Sequence, residues 1–144
     1  RDLAKESTKA GHKIPTDTSK EEKTETPEPV KNSNKGEYLR IKSIAELKKI
    51  LSVVKKQKII CVDTETTSKE PMRAELLGIS ISYEEGKAFY IPVKYPHSLF
   101  QAQCLDLEEV IEEIKPIFEN EKILKVGQNI KYDSIVLDKY GIKL

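Results

Sequence analysis

The chain has 144 residues, room for one modest domain and a tail. Its hydrophobic share of 38% is low for a wholly globular chain, its charged share of 34% is high, and no stretch reaches the ~20 apolar residues of a membrane span. Basic and acidic residues nearly balance, at 25 and 24, which excludes a global basic footprint for nucleic acid and leaves any strand-binding surface to local groups and metal ions.

Residues 1–36 consist largely of Lys, Glu, Thr, Ser and Pro, with Leu3, Ile14 and Val30 as the only large apolar side chains. Such a segment buries too little surface to offset the entropy of ordering, so the expectation is a disordered linker. Its mixed charge disfavours a basic arm on DNA. No apolar signal-peptide core lies near the start, and the first residue is Arg1 rather than Met, so the chain reads as a piece of something longer. Cys61 and Cys104 have no metal-binding spacing. Cys61 reads as a small core residue, and both cysteines as reduced thiols in the cytoplasm.

Structure is expected from Tyr38 onward, with residues 37–144 as the domain. Tyr38–Ile41 reads as a short strand. Ser43-Ile44-Ala45-Glu46 is a capping box, followed by a helical stripe of Ile44, Leu47, Leu51 and Val54. Lys58–Glu65 is a strand whose Ile59, Ile60, Cys61 and Val62 are apolar on both faces, the pattern of a doubly covered strand. Ala74–Tyr83 is a second strand, with Leu77, Ile79 and Ile81 on one face. Glu85-Gly86 is a turn, and Ala88–Val93 a third strand, which together suggest an antiparallel meander. Asp106-Leu107-Glu108-Glu109 starts a helix whose apolar residues run from Leu107 to Phe118, with Pro116 expected to kink or restart it. Lys122–Val126 is a short strand, and Asn129–Tyr140 a helix stopped at Gly141. Strands followed by helix, strand and helix suit an α/β sheet with helices on its faces.

Asp63 and Glu65 are two residues apart on one strand, so they share a face with Cα atoms ~6.5–7 Å apart. Two anions there repel and lose hydration unless a cation sits between them, and hard divalent ions prefer such oxygen ligands. The bland alternative is a strand end with two solvated acids. Asp133 falls on the helix face of Ile130 and Leu137, which should turn toward the sheet, and a carboxylate there needs a metal or a partner. It lies near the end of the first turn, where the pull of the helix N-terminus fades, so the ligand reading outweighs simple complementation of the dipole. Asn129 suits a helix N-cap and a groove residue about equally. Lys131 alone reads as solvated.

Asp63-Thr64-Glu65 and the downstream Asn129-Ile130-Lys131-Tyr132-Asp133 resemble the first two motifs of the DEDD exonucleases. Val126-Gly127-Gln128 and Tyr140-Gly141-Ile142 are similar to the 3′–5′ exonuclease domain of bacterial family-A DNA polymerases, the polymerase I family. The resemblance covers about Tyr38 to Leu144. It implies an α/β fold of the ribonuclease H-like type, a mixed sheet truncated at its C-terminal side. It also implies hydrolysis of 3′-terminal nucleotides of DNA, as in proofreading during replication and repair. Two divalent ions ~3.5–4 Å apart can activate water, stabilise the leaving oxygen and neutralise charge at phosphorus. Mg²⁺ is expected, with Mn²⁺ or Zn²⁺ as alternatives. The metal ligands and catalytic residues are Asp63, bridging both ions, Glu65, which by resemblance also accepts a hydrogen bond from the terminal 3′-hydroxyl, and Asp133. By resemblance Thr66, Gln128, Asn129 and Tyr132 line the groove for a single-stranded 3′ end.

Lys69 departs from the family, which commonly has an apolar residue, often leucine, four positions after the first-motif glutamate. Met72 is a nearby apolar substitute or a cap on the core. The family's third motif, a tyrosine and an aspartate, is expected beyond Leu144, so the isolated fragment is expected to be inactive. His12 and His97 lie outside the motifs. The resemblance implies a polymerase domain downstream, a 5′-nuclease domain upstream and a monomeric chain. Two other readings are a ribonuclease D-like exonuclease acting on RNA, disfavoured by the flanks of Asp133, and a non-catalytic DNA-positioning domain, disfavoured by the retained acids.

Overall fold

The computed structural model describes residues 36–94 and 104–144. The linker expectation for residues 1–36 falls, apart from Gly36, outside them, as do His12 and His97. In chain order the described elements are β1 (Glu37–Arg40), α1 (Ile44–Val54), β2 (Ile59–Thr66), β3 (Leu76–Glu84), β4 (Lys87–Pro92), α2 (Leu107–Phe118), β5 (Leu124–Val126) and α3 (Ile130–Asp138). The sheet order is β1-β4-β3-β2-β5. Strands β2, β3 and β4 form the expected antiparallel meander, turning at Gly86, whose φ of 75° needs no Cβ. The edge strands β1 and β5 run parallel to β4 and β2.

Strand β2 alternates along its length. Ile60, Val62 and Thr64 are buried, while Ile59, Cys61, Asp63 and Glu65 are exposed. The expectation of a strand covered on both faces is therefore corrected, and so is that of Cys61 as a core residue. Ile59 is 49% exposed and its neighbour across β5, Leu124, is 60% exposed. The buried face joins Ile79 and Ile81 of β3 and Phe89 and Ile91 of β4 in one core. Leu47, Leu51 and Val54 of α1, Val110, Ile114, Ile117 and Phe118 of α2, and Val136 and Leu137 of α3 complete that core. Asp63 and Glu65 thus stand on the opposite, open face of the same strand.

Both expected helix starts are made by side chains. Ser43 Oγ accepts from the Glu46 amide at 3.2 Å, and Asp106 Oδ1 from the Glu109 amide at 3.0 Å. Such caps are worth about 1 kcal/mol each. The reciprocal bond from Glu46 goes one residue further back, to the Lys42 amide at 2.8 Å. The helix α2 does not restart at Pro116 but runs through it to Phe118. The proline sits in the last turn, where the helix loses one hydrogen bond while Ile117 and Phe118 remain anchored in the core.

Leu77 does not join the inward row of β3. Between Glu65 and Thr66 the register shifts, so that Glu65 faces Gly78 and Thr66 faces Leu76. Leu77 is the extra residue of this bulge, and Leu76 becomes the buried one at 1% exposure. The Leu77 carbonyl accepts from the amides of both Val93 and Lys94 at 3.0 Å. Bulges re-aim side chains at strand ends beside functional sites, and this one falls beside Glu65.

Candidate active site

Chain geometry brings α3 to the end of β2. A Cβ on Gly127 would lie 2.5 Å from the carbonyl oxygen of Val62. Only glycine lets the segment leaving β5 pass so close to the residue before Asp63. The chain then turns through Asn129, which adopts the left-handed conformation (φ 54°, ψ 40°) and occupies the N-cap position of α3. Its side chain makes no capping bond, so the capping role is not the one taken. Asn tolerates this backbone region better than other non-glycine residues.

Asp133 follows one turn later and is 2% exposed. Its Oδ1 accepts two hydrogen bonds from Thr64, from the amide at 2.9 Å and from the hydroxyl at 2.6 Å. This is the partner that a carboxylate on an inward helix face requires. Thr64 was missed as a site residue in the sequence. The signal was present, because alternation puts the residue between two outward acids on the inward face, toward α3.

Burial first, and the negative charge of Asp133 second, push the Asp63 carboxyl above its ordinary range. A carboxylate whose charge is disfavoured in this way is one that a nearby cation relieves. The donors are hard oxygens only, which fit a divalent ion of the magnesium type. Among the described residues no three Asp, Glu, His or Cys side chains gather closely enough to make a metal centre. Asp133 is thus held on Thr64, the residue between Asp63 and Glu65, and Glu65 lines the neighbouring cleft.

That cleft has a volume of about 520 Å³ and is lined by Thr64 to Lys69, Asn129 and Tyr132. Four of the residues singled out in the sequence, Glu65, Thr66, Asn129 and Tyr132, meet there, and Lys69 joins them. Gln128 is exposed and does not line it. Met72 is 73% exposed, so it does not cap the core.

The far wall of the cleft is pinned to α3. The Tyr132 hydroxyl donates to the Ser68 carbonyl and shares a hydrogen bond with the Thr66 hydroxyl. Further along, Lys139 Nζ donates to the carbonyls of Ala74 and Pro71, and the Tyr140 hydroxyl accepts from the Leu76 amide at 2.9 Å. The clasp by Lys139 carried no sequence signal, since its partners are backbone atoms more than sixty residues away.

A mixed five-stranded sheet with helices packed on its inner face is the fold expected from the sequence, the ribonuclease H-like type. The chain belongs to the 3′-5′ exonuclease family, which matches residues 38–144. It is 39% identical over 87 residues to DNA polymerase I of Pseudomonas aeruginosa, covering 60% of this chain and 9% of that protein. It is 35% identical over 105 residues to DNA polymerase I of Borreliella burgdorferi, covering 72% of this chain and 11% of that protein. The chain thus spans about a tenth of the length of these relatives. In fold it is similar to RNase D of Escherichia coli (TM-score 0.53, 21% identity, 72% of this chain and 24% of that one). It is also similar to RNase D of Trypanosoma brucei (TM-score 0.61, 13% identity, 76% and 36%). At those identities the ribonuclease likeness speaks for the fold alone. No described helix is long and apolar enough to cross a membrane.

Proposed function

We propose that this chain supplies the first part of the 3′–5′ exonuclease centre of a DNA polymerase I, which removes 3′-terminal nucleotides from single-stranded DNA ends. The observation that carries the reading is the anchoring of Asp133 on Thr64, the residue between Asp63 and Glu65, beside an open cleft. Asp63, Glu65 and Asp133 would hold two divalent ions, Mg²⁺ or Mn²⁺ in the first instance. The ions, when bound, supply a nucleophilic hydroxide and neutralise charge at phosphorus.

The chain's own residues do the rest. Asp63 would be the acid that holds both ions. Glu65, on the cleft side, accepts a hydrogen bond from the terminal 3′-hydroxyl. Thr66, Asn129 and Tyr132 shape the wall against which the last nucleotide rests, and Gln128 reaches it from outside. Lys69 brings a cation to that wall where an apolar side chain is usual, and its stem can still pack while the ammonium faces phosphate. A polymerase domain downstream, a 5′-nuclease domain upstream, a monomeric state and a cytoplasmic setting complete the proposal.

The test is a 5′-labelled single-stranded oligonucleotide incubated with the full-length polymerase, with and without chelator. Trimming from the 3′ end should need Mg²⁺ or Mn²⁺ and should be abolished by Asp63→Ala, while nucleotide addition continues. The 144-residue chain alone should trim little or nothing, because the tyrosine and aspartate of the family's third motif are not among its residues. Unchanged trimming by the full-length Asp63→Ala protein removes the central residue of the mechanism.

A further inference from the structure

We infer that Thr64 is the positioning residue of this site: its amide and hydroxyl together clamp Oδ1 of Asp133 and so decide which oxygen of that carboxylate is left to face a ligand. Both donors reach the same atom, at 2.9 and 2.6 Å. Both residues are nearly sealed, at 8% and 2% exposure. Neither donor reaches Oδ2, so Oδ2 is the oxygen of Asp133 that the clamp leaves for a ligand. A carboxylate with one oxygen doubly held cannot spin about its last bond without losing both donors. The strand itself thereby acts as the orienting group: one residue of β2, Asp63, points outward as a ligand, and the next, Thr64, points inward to hold the ligand delivered by α3.

This inference rests on the reading of Asp133 as a metal ligand, and the variants can separate the two. Thr64→Val keeps the shape and the amide and removes the hydroxyl. Thr64→Ser keeps both donors and removes a methyl. Thr64→Ala is the alternative to Val should that variant not fold. Three-bond couplings across χ1 of Asp133, and the coupling through the hydrogen bond from the Thr64 amide nitrogen to the Asp133 carboxyl carbon, measured by NMR on the metal-free 144-residue chain, report the clamp directly. One fixed conformer is expected in wild type and Thr64→Ser, and averaging in Thr64→Val. A fixed conformer in Thr64→Val overturns the inference whatever the metal does.

Mn²⁺ titration of the same proteins reads the consequence. Groups that orient a metal ligand typically carry about 10- to 100-fold in affinity, so Thr64→Val should weaken Mn²⁺ by that factor and Thr64→Ser should restore it. A role in stability alone would lower the melting temperature and leave Mn²⁺ affinity intact, which also overturns the inference. If wild type binds no Mn²⁺ that Asp63→Asn removes, the metal reading of this chain fails, and the coupling measurement still decides whether Thr64 holds Asp133.

Discussion

Gly127 passes so close to Val62 that a methyl group at its Cα would lie 2.5 Å from the Val62 carbonyl oxygen. That carbonyl belongs to the residue before Asp63, so the contact sets how near α3 comes to the strand end. Gly127→Ala should force either strand β2 or the turn into α3 to move. Overpacking of this kind typically costs about 1–3 kcal/mol. Urea unfolding at pH 7 should show the midpoint fall with an unchanged slope. Wild-type stability for this variant would mean that the crossing has more room than the geometry allows.

The two faces of β2 should respond differently to substitution. Ile60→Ala empties a site 1% exposed in the core and should cost about 2–5 kcal/mol. Ile59→Thr, on the open face at 49% exposure, should change stability by no more than about 0.5 kcal/mol. Cys61 stands on that open face, so a thiol reagent such as a disulfide dye should modify it in the folded chain without denaturant. A large loss from Ile59→Thr, or an inert Cys61, would show this face to be covered.

Why the sequence misled at Cys61 follows from the same alternation. Four apolar residues in a row look identical whether a strand is covered once or twice, and only tertiary packing separates the cases. The elements themselves were legible because their signals are local: Ser43 and Asp106 as caps, Gly86 at the turn, and the helical stripe of α2. The inward carboxylate of Asp133 was legible from its helix face, because an unpaired acid there is too costly to be accidental. The bulge at Leu77 was not, since it depends on which residue of β2 lies opposite. Nor was the clasp made by Lys139, whose partners are the backbone carbonyls of Pro71 and Ala74.

Asp63 carries a pH signature of its own. Its folded-state carboxyl is held above the ordinary value by burial and by Asp133. A carboxyl raised on folding prefers its neutral form in the native state. The resulting penalty is fully present above the folded value, shrinks as pH falls through it, and is gone below the unfolded value. Asp63→Asn should therefore raise the melting temperature of the metal-free chain at pH 7, and this gain should fade as the pH is lowered through the carboxylate range. Mg²⁺ or Mn²⁺ at pH 7 should stabilise wild type and not the variant. A thermal-shift series from pH 3 to pH 8, with and without metal, tests both statements. A variant less stable than wild type at pH 7 without metal would show that Asp63 gains from its surroundings rather than suffering from them.

Tyr132 combines two contributions that substitution can separate. Its ring lines the cleft beside Asn129, and its hydroxyl fastens the Ser68 carbonyl and the Thr66 hydroxyl across the site. Tyr132→Phe keeps the ring and removes both hydrogen bonds. Each such bond contributes about 0.5–1.5 kcal/mol net, so opening of the Thr67–Glu70 segment should become easier by about 1–2 kcal/mol. Hydrogen exchange should register this as roughly tenfold faster exchange of the amides that close the loop, that of Thr67 on Glu75 and that of Glu70 on Ser68. Global stability should fall by less than that, because the core beneath α3 is untouched. In the full-length polymerase, Tyr132→Phe should weaken the hold on a 3′ end through a looser wall, and Tyr132→Ala should lose more, because the surface itself goes. Equal trimming by the Tyr, Phe and Ala forms would show that neither the hydroxyl nor the ring serves the 3′ end. Unchanged exchange in Tyr132→Phe would show that the loop is held by its own backbone bonds.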